Sequence, residues 1–454
     1  MRPDRPVHKG CDDFRQTSAG IRDRWLEGGG GLTRREVIGA GLGGALAIWA
    51  GREMGAGDVL AAAEAQAASA PGAPVLVTVF LPGGCDLLDT LIPVGQYGRY
   101  ADLRPGTKLG DPPLLGATGL AVHPALAEGL NGGVKGLFEA GKVGFLPGID
   151  YANPDLSHFH SRHFWETGLI TDRAAAGWLG RWLDRNGSRE NPLQGLTLGS
   201  TLSPVLSTAT APVAALESPR DVGLDIWGVD EKPHRRMLAA WEQLAAGGDR
   251  RAGPAAVREA SLLAKRVGDR LAPYAEQDGK DPLAPSVAYP EEDGFGQRLS
   301  RIAALIAQPL GVRVVAVQAD GEFDTHDNQP EDLAAGLRSV SQSLSAFQAD
   351  LEARGVADRV LTLVWSEFGR RPKGNESSGT DHGAGGIAWV QGTRAASGIL
   401  TDYPSLTSLD RDDNLRVTVD FRKVYASLIE GWLGTAADDV IPRAGAYGRL
   451  ALSR

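Results

Sequence analysis

Four short β-rich apolar runs limit the possible folds of this chain more than any other feature: "VLVTVF" at 75–80, "VGFL" at 143–146, "VRVVAVQ" at 312–318 and "RVLTLVW" at 359–365. Each is apolar at successive positions, so both faces of the strand are greasy, as expected of strands inside a parallel sheet covered on both sides. Helical patterns separate the runs, around 123–140, 157–168, 294–308 and 330–353, with another at 421–434. The alternation predicts an α/β fold, a three-layer sandwich with a mostly parallel central sheet. The stretch from about 185 to 290 breaks the rhythm with turn-rich, then Ala-rich charged, then Pro-rich sequence, and reads as a helical insertion or cap. No fixed-period repeat is visible, which argues against a solenoid or propeller.

Open α/β sheets bind ligands outside the carboxyl ends of their strands, and all four runs are followed there by polar residues. Asp86 follows the first run. Ser157 and three histidines, at 158, 160 and 163, follow the second. Asp324 and His326 follow the third, and Glu367, Arg370, Asp381 and His382 follow the fourth. Aspartate beside histidine offers a hard oxygen and an imidazole, a donor set suited to a divalent metal of the Zn or Mn/Ca/Mg class. Asp324 and His326, two residues apart, point to the same side of an extended segment. The expected metal ligands are therefore Asp86, Asp324, His326, Asp381 and His382.

Taken singly, each cluster has an ordinary reading: a turn carboxylate for Asp86, an Asx turn at 324–326, a helix cap for Ser157, and a structural ion pair between Glu367 and Arg370. Their coincidence at strand ends is what points to a site. Ser157, placed at a helix start beside a metal, is the expected nucleophile. Glu367 is expected to orient a histidine, and Arg370 to clamp an anion with its planar fork.

The formal net charge of −9 argues against a nucleic-acid partner, which needs a positive footprint. Thr33-Arg34-Arg35-Glu36-Val37-Ile38, followed by "GAGLGGALAIWAG" and an Ala-rich stretch with small-residue cleavage options near Ala67 or Ala70, reads as a twin-arginine export signal. Residues 1–70 are thus a leader and 71–454 the folded domain, with the twin-arginine translocase as a transient partner and a periplasmic or extracellular destination. The leader's apolar run is too short and glycine-rich for a membrane span, so none is expected in the mature form. Cys11 falls in the leader, which leaves Cys85 alone and no intrachain disulfide.

"LPGGCDLLDTLIP", "NPDLSHFHSRHFWETG", "FDTHDNQ" and "SEFGRRPKGNESSGTDHG" together resemble the successive motifs of the bacterial domain-of-unknown-function family 1501. That family is grouped with alkaline-phosphatase-like and sulfatase-like proteins, which share an α/β sandwich and a two-metal site. The resemblance implies an exported metal-dependent hydrolase or transferase of phosphate or sulfate esters, acting on a small-molecule or polymer-linked substrate. It assigns Asp86, Ser157, Asp324 with His326, and Asp381 with His382 to successive site roles. Similar chains usually carry a further histidine shortly after the Asp-His pair, where this one reads Gly385-Gly386-Ile387-Ala388, and no histidine follows His382. A second metal position is therefore altered or absent. The alternative is a catalytically degenerate member that binds or assembles in the cell envelope.

Overall fold

The computed structural model of the protein describes residues 46–49, 72–217 and 263–454. Arg34 and Arg35, Cys11 and the middle of the expected insertion lie outside the described residues.

The strands are β1 (Leu46–Trp49), β2 (Val75–Phe80), β3 (Leu91–Pro93), β4 (Leu120–Val122), β5 (Val143–Asp150), β6 (Gly195–Leu198), β7 (Val213–Leu216), β8 (Val314–Gln318), β9 (Val360–Trp365), β10 (Gly369–Gly374), β11 (Thr380–Gly383), β12 (Gly386–Gln391), β13 (Gly398–Ile399) and β14 (Val419–Asp420). The main sheet runs β1-β7-β6-β8-β2-β9-β12-β5-β13, with β14 also on β5. Neighbours from β7 to β9 are parallel. β12 enters antiparallel between β9 and β5, and β1 is antiparallel to β7. The sheet is thus mostly parallel.

Alternation along the strands explains the layers. On β2, Val75, Val77 and Val79 face one core while Leu76 and Phe80 face the other; on β9, Val360 and Val364 oppose Leu361, Leu363 and Trp365. The first face is covered by α6 (Gly294–Ala307) and α7 (Gln329–Ala353), which bury Leu299 and Ile302, and Leu333, Leu337, Val340 and Leu344, at three- and four-residue spacing. The second face is covered by α4 (His158–Thr167), α5 (Trp178–Asn186) and α8 (Phe421–Gly431). Helix, sheet and helix make the three-layer sandwich.

The structure departs from the sequence reading in four places. Leu46–Trp49, inside the leader expected over 1–70, forms β1 and pairs antiparallel with β7 at the edge of the main sheet. β5 does not stop at Pro147-Gly148 but continues to Asp150, because the register against β12 skips Gly148, which sits in a bulge at φ +73°. A bulge is where a strand tolerates proline and a left-handed glycine. The helical pattern at 123–140 breaks into two 3₁₀ turns, Pro124–Ala127 and Leu130–Gly132, before the short helix α3 (Gly133–Glu139). The first part of the expected insertion supplies β6 and β7 to the main sheet, and a helix occupies 263–271 beyond the undescribed part. Among the described residues no helix is long and apolar enough to cross a membrane.

Candidate metal centre

β8, β2 and β9 are adjacent and parallel, so the loops leaving their carboxyl ends meet. Gly83 lets them meet closely: its φ is +117°, and a Cβ there would lie 2.3 Å from the backbone nitrogen of Asp324. The Gly83 and Gly84 N–H groups turn inward and donate to the buried Glu367 carboxylate at 2.9–3.1 Å. Glu367 Oε1 in turn lies 2.9 Å from Nδ1 of His158, the first residue of α4. Burial would raise the pKa of Glu367, but its bonds with His158 and the Gly83 amide outweigh that and keep it low.

Asp324, on the loop after β8, is the hub. Its Oδ1 is 3.1 Å from both His326 Nε2 and His382 Nε2, and its Oδ2 is 3.4 Å from His158 Nε2. His326 Nε2 and His382 Nε2 are 3.0 Å apart. One donor atom each from His158, Asp324 and His382 falls within 4.8 Å of the other two. Phe368 packs beside two of the rings, with centroids 4.5 Å from His382 and 5.0 Å from His158. The four polar side chains are 12–20% exposed, so solvent or a small ligand can reach them.

The donor chemistry fits a divalent cation. His382 Nδ1 faces the Leu156 carbonyl at 2.9 Å and must donate to it, which leaves Nε2 as an acceptor. That Nε2 faces a carboxylate oxygen, and two acceptors 3.1 Å apart repel unless a proton or cation lies between them. His158 has the same arrangement, with Nδ1 on Glu367 and Nε2 turned to Asp324; such outer partners fix the tautomer of a metal-ligating imidazole. Ligands held tetrahedrally at about 2.0–2.2 Å from a metal are roughly 3.3–3.6 Å apart. The observed 3.0–3.4 Å separations are close to that spacing.

The protonation balance differs between the two rings: without a cation His158 holds a proton that a metal would have to displace, whereas His382 offers a lone pair directly. Burial works against charge on His158, but hydrogen bonds to Asp324 and Glu367 prevail and push its pKa up to about 9. Burial, only partly opposed by Asp324, keeps His382 below its ordinary value and hence a neutral donor. Asp324 is held far below the usual carboxylate range: burial alone would raise it, but three histidines and Arg370 overcome that.

The remaining expected residues separate into different roles. Asp381 is half exposed and lies 3.4 Å from His326 Nδ1, at the rim of the group. Asp86 is not brought to it. Asp86 caps the short helix α1 (Leu87–Thr90) through Leu88 N–H, and its carboxylate is taken up by Arg104 and the Gln329 amide in a separate buried network with Asp89. Both oxygens of that carboxylate are engaged, Oδ1 by Arg104 and the Leu88 N–H and Oδ2 by Arg104 and Gln329, whereas Arg370 reaches only Oδ1 of Asp324, whose Oδ2 is turned to His158.

Arg370 is not placed as an anion clamp. It is buried, and its N–H groups go to the carbonyls of Gly83, Gly84, Phe323 and Thr380 and to Asp324. It positions Asp324 rather than facing an open ligand site. Ser157 immediately precedes His158 as the N-cap residue of α4, and its side chain makes no capping hydrogen bond. Ser161, one turn on, is buried and tied to Tyr151 and the Asp155 carbonyl.

Sequence reasoning did not single out His158 as a ligand. The available signal was that it heads a helix on the same edge as the other histidines. Arg104 and Gln329, which claim Asp86, carry no sequence signal, since they lie 18 and 243 residues from it.

Fold and site together define an α/β protein with a candidate histidine–aspartate metal centre at the carboxyl edge of its sheet. A family model described as "Protein of unknown function (DUF1501)" matches residues 152–417, more than half of the chain and inclusive of His158, Asp324, His326 and His382. The chain belongs to that family. No curated protein matches it. Among solved structures, the PsFucS1 sulfatase from Pseudoalteromonas sp. is similar at 13% identity and a TM-score of 0.32, covering 87% of this chain and 76% of that one.

Proposed function

We propose that the protein is a metal-dependent hydrolase or transferase of phosphate or sulfate esters, with its centre at His158, Asp324, His326 and His382. The observation that carries this reading is the convergence of imidazole Nε2 atoms on one carboxylate, with the Nδ1 atoms of His158 and His382 held by outer oxygens. A divalent cation bound there supplies positive charge that stabilises a developing oxyanion and lowers the pKa of a nearby hydroxyl.

The chain's own residues take the other roles. Ser157 attacks: its Oγ gives up its proton and bonds to phosphorus or sulfur as the ester oxygen departs with the bonding electron pair and takes up a proton, and water or an acceptor hydroxyl then displaces Oγ, which regains its proton as phosphate, sulfate or the new ester is released. Glu367 fixes the ring of His158, Arg370 fixes the carboxylate of Asp324, and Asp381 flanks His326 at the open side. Placement with alkaline-phosphatase-like and sulfatase-like proteins rests on the motif resemblance. Export through the twin-arginine route to the periplasm or beyond is part of the same reading, and its partners are the translocase and the ester substrate. Fractionation of an Arg34→Lys, Arg35→Lys variant tests the route; unaltered export would refute it.

Metal analysis of the purified protein, with aryl phosphates and aryl sulfates as substrates, tests the chemistry. Expected are one divalent ion per chain and turnover in one series. Ser157→Ala should retain the metal and lose turnover, whereas His382→Ala should lose both. Absence of bound metal together with no turnover in either series would overturn the proposal.

A second reading, a catalytically degenerate member that binds without turnover, is favoured by one observation. Asp86 is committed to Arg104, and no histidine follows His382, so the described residues do not build a second metal position around these groups. Bound metal with no turnover would select that reading.

A further inference from the structure

A cavity of about 240 Å³ opens at the carboxyl ends of β2, β6, β8 and β9, the edge that also carries the donor group, although none of the donor residues lines it. Its floor includes Phe80 and Trp365 at the ends of β2 and β9, and one wall is the loop after β6. α4 joins cavity to centre. His158 stands at its start, and Arg162 and Glu166, which line the cavity, follow at four-residue intervals on the same face, about 6 and 12 Å along the axis. Two other segments also contribute to both: Asp320 lines the cavity four residues before Asp324, and Trp365 two residues before Glu367.

The charges of the cavity are internally paired. Arg162 Nε lies 2.8 Å from Glu166 Oε1, and Arg298 pairs with Asp320 while donating to the Gln318 carbonyl at 2.9 Å. Two guanidinium groups and two carboxylates leave no net charge, so a free anion would have to displace an existing partner. Hydroxyl groups are the better match: a hydroxyl donates to a carboxylate and accepts from a guanidinium, so adjacent hydroxyls can bridge such a pair without breaking it. Ser200, Thr201 and Ser203 add further hydroxyls from the loop. The volume falls below the roughly 300–1,000 Å³ typical of drug-sized ligands, which suits a single ring.

We propose that this cavity is a subsite for an uncharged, hydroxyl-rich ring of the substrate, a glycosyl or cyclitol unit, whose ester group reaches the neighbouring metal centre. The assignment of an ester rests on the proposed function; the subsite itself is tested without turnover.

The test is titration of the full chain with methyl pyranosides, myo-inositol, inorganic sulfate and inorganic phosphate, followed by calorimetry and ligand-observed NMR. Thr201 is exposed at the lining, so Thr201→Trp obstructs the cavity without entering the core. Asp320→Asn removes the partner of Arg298 and serves as a second variant at a half-exposed position. At least one neutral ring is expected to bind with a Kd on the order of millimolar. Thr201→Trp or Asp320→Asn should weaken it about tenfold, while His382→Ala leaves it unchanged. Which of the pyranosides or inositol binds distinguishes the glycosyl from the cyclitol source. No binding of any neutral ring, binding that both cavity variants leave intact, or competition by sulfate or phosphate at the same place would overturn the subsite. Retained ring binding without ester turnover would defeat the catalytic reading alone.

Discussion

Replacing Arg104 with methionine is expected to destabilise the protein by about 3–5 kcal/mol while leaving its metal content unchanged. Arg104 is wholly buried and bonds to Asp86 Oδ1 at 2.9 Å, Asp89 Oδ2 at 3.1 Å and the carbonyls of Arg371 and Pro372 at 3.0 and 2.7 Å. Methionine approximates the aliphatic stem, so packing loss is small beside the electrostatic loss. What remains is a pair of buried carboxylates sharing the Gln329 amide, 2.6 Å from each, with no cation between them. Burial, reinforced by Asp86 and opposed by Arg104, already pushes Asp89 up to about 6. Without the guanidinium the pair must take up a proton, so the loss should be larger at pH 8 than at pH 5. Urea denaturation followed by circular dichroism measures it, read as a fall in midpoint at constant slope. Adding Asp86→Asn and Asp89→Asn to the variant should recover most of the loss. A change below about 1 kcal/mol, or metal loss from the folded variant, would refute the assignment of Asp86 to a structural ion pair.

Other outcomes follow from the same geometry. Gly83→Ala should cost at least about 2 kcal/mol by thermal denaturation, because its Cβ would meet the Asp324 backbone at 2.3 Å and its φ is +117°; a neutral effect would contradict the close approach of the two loops. Glu367→Gln should weaken metal binding roughly 10–100-fold, measured by chelator competition, since it removes the charged partner of His158 Nδ1; unchanged affinity would deny it that orienting role. His123 is buried with its Nδ1 accepting the Ala125 N–H, and burial lowers its pKa to about 4. The folded state therefore excludes the proton that the unfolded chain binds below about 6.5, so this contribution is fully present above 6.5 and is lost as pH falls toward 4. The stability of wild type relative to His123→Asn, which keeps a capping side chain, should fall by roughly 3 kcal/mol over that window; a pH-independent difference would exclude the effect.

The amino-acid sequence alone determined the layered architecture. β2 and β9 are apolar at successive residues, and a strand greasy on both faces has to lie between two helical layers. It also located Asp324, His326 and His382 at one edge, because parallel strands joined by crossover helices present all their carboxyl ends together, although His382 sits on β11 rather than on a loop. The continuation of β5 past Pro147-Gly148 was not legible, since a bulge depends on the register of β12, a partner more than 230 residues away. Direction and partnership of side chains were decided only by the tertiary structure. Asp86 and Asp324 both follow parallel strands of one sheet, yet Arg104 and Gln329 claim the first and three imidazoles surround the second. Arg370 likewise reads as an anion clamp in sequence and is spent on backbone carbonyls in the fold. A carboxylate or guanidinium takes its role from whichever opposite charge or dipole packing brings within about 3 Å, and that proximity is set by contacts between distant segments rather than by spacing along the chain.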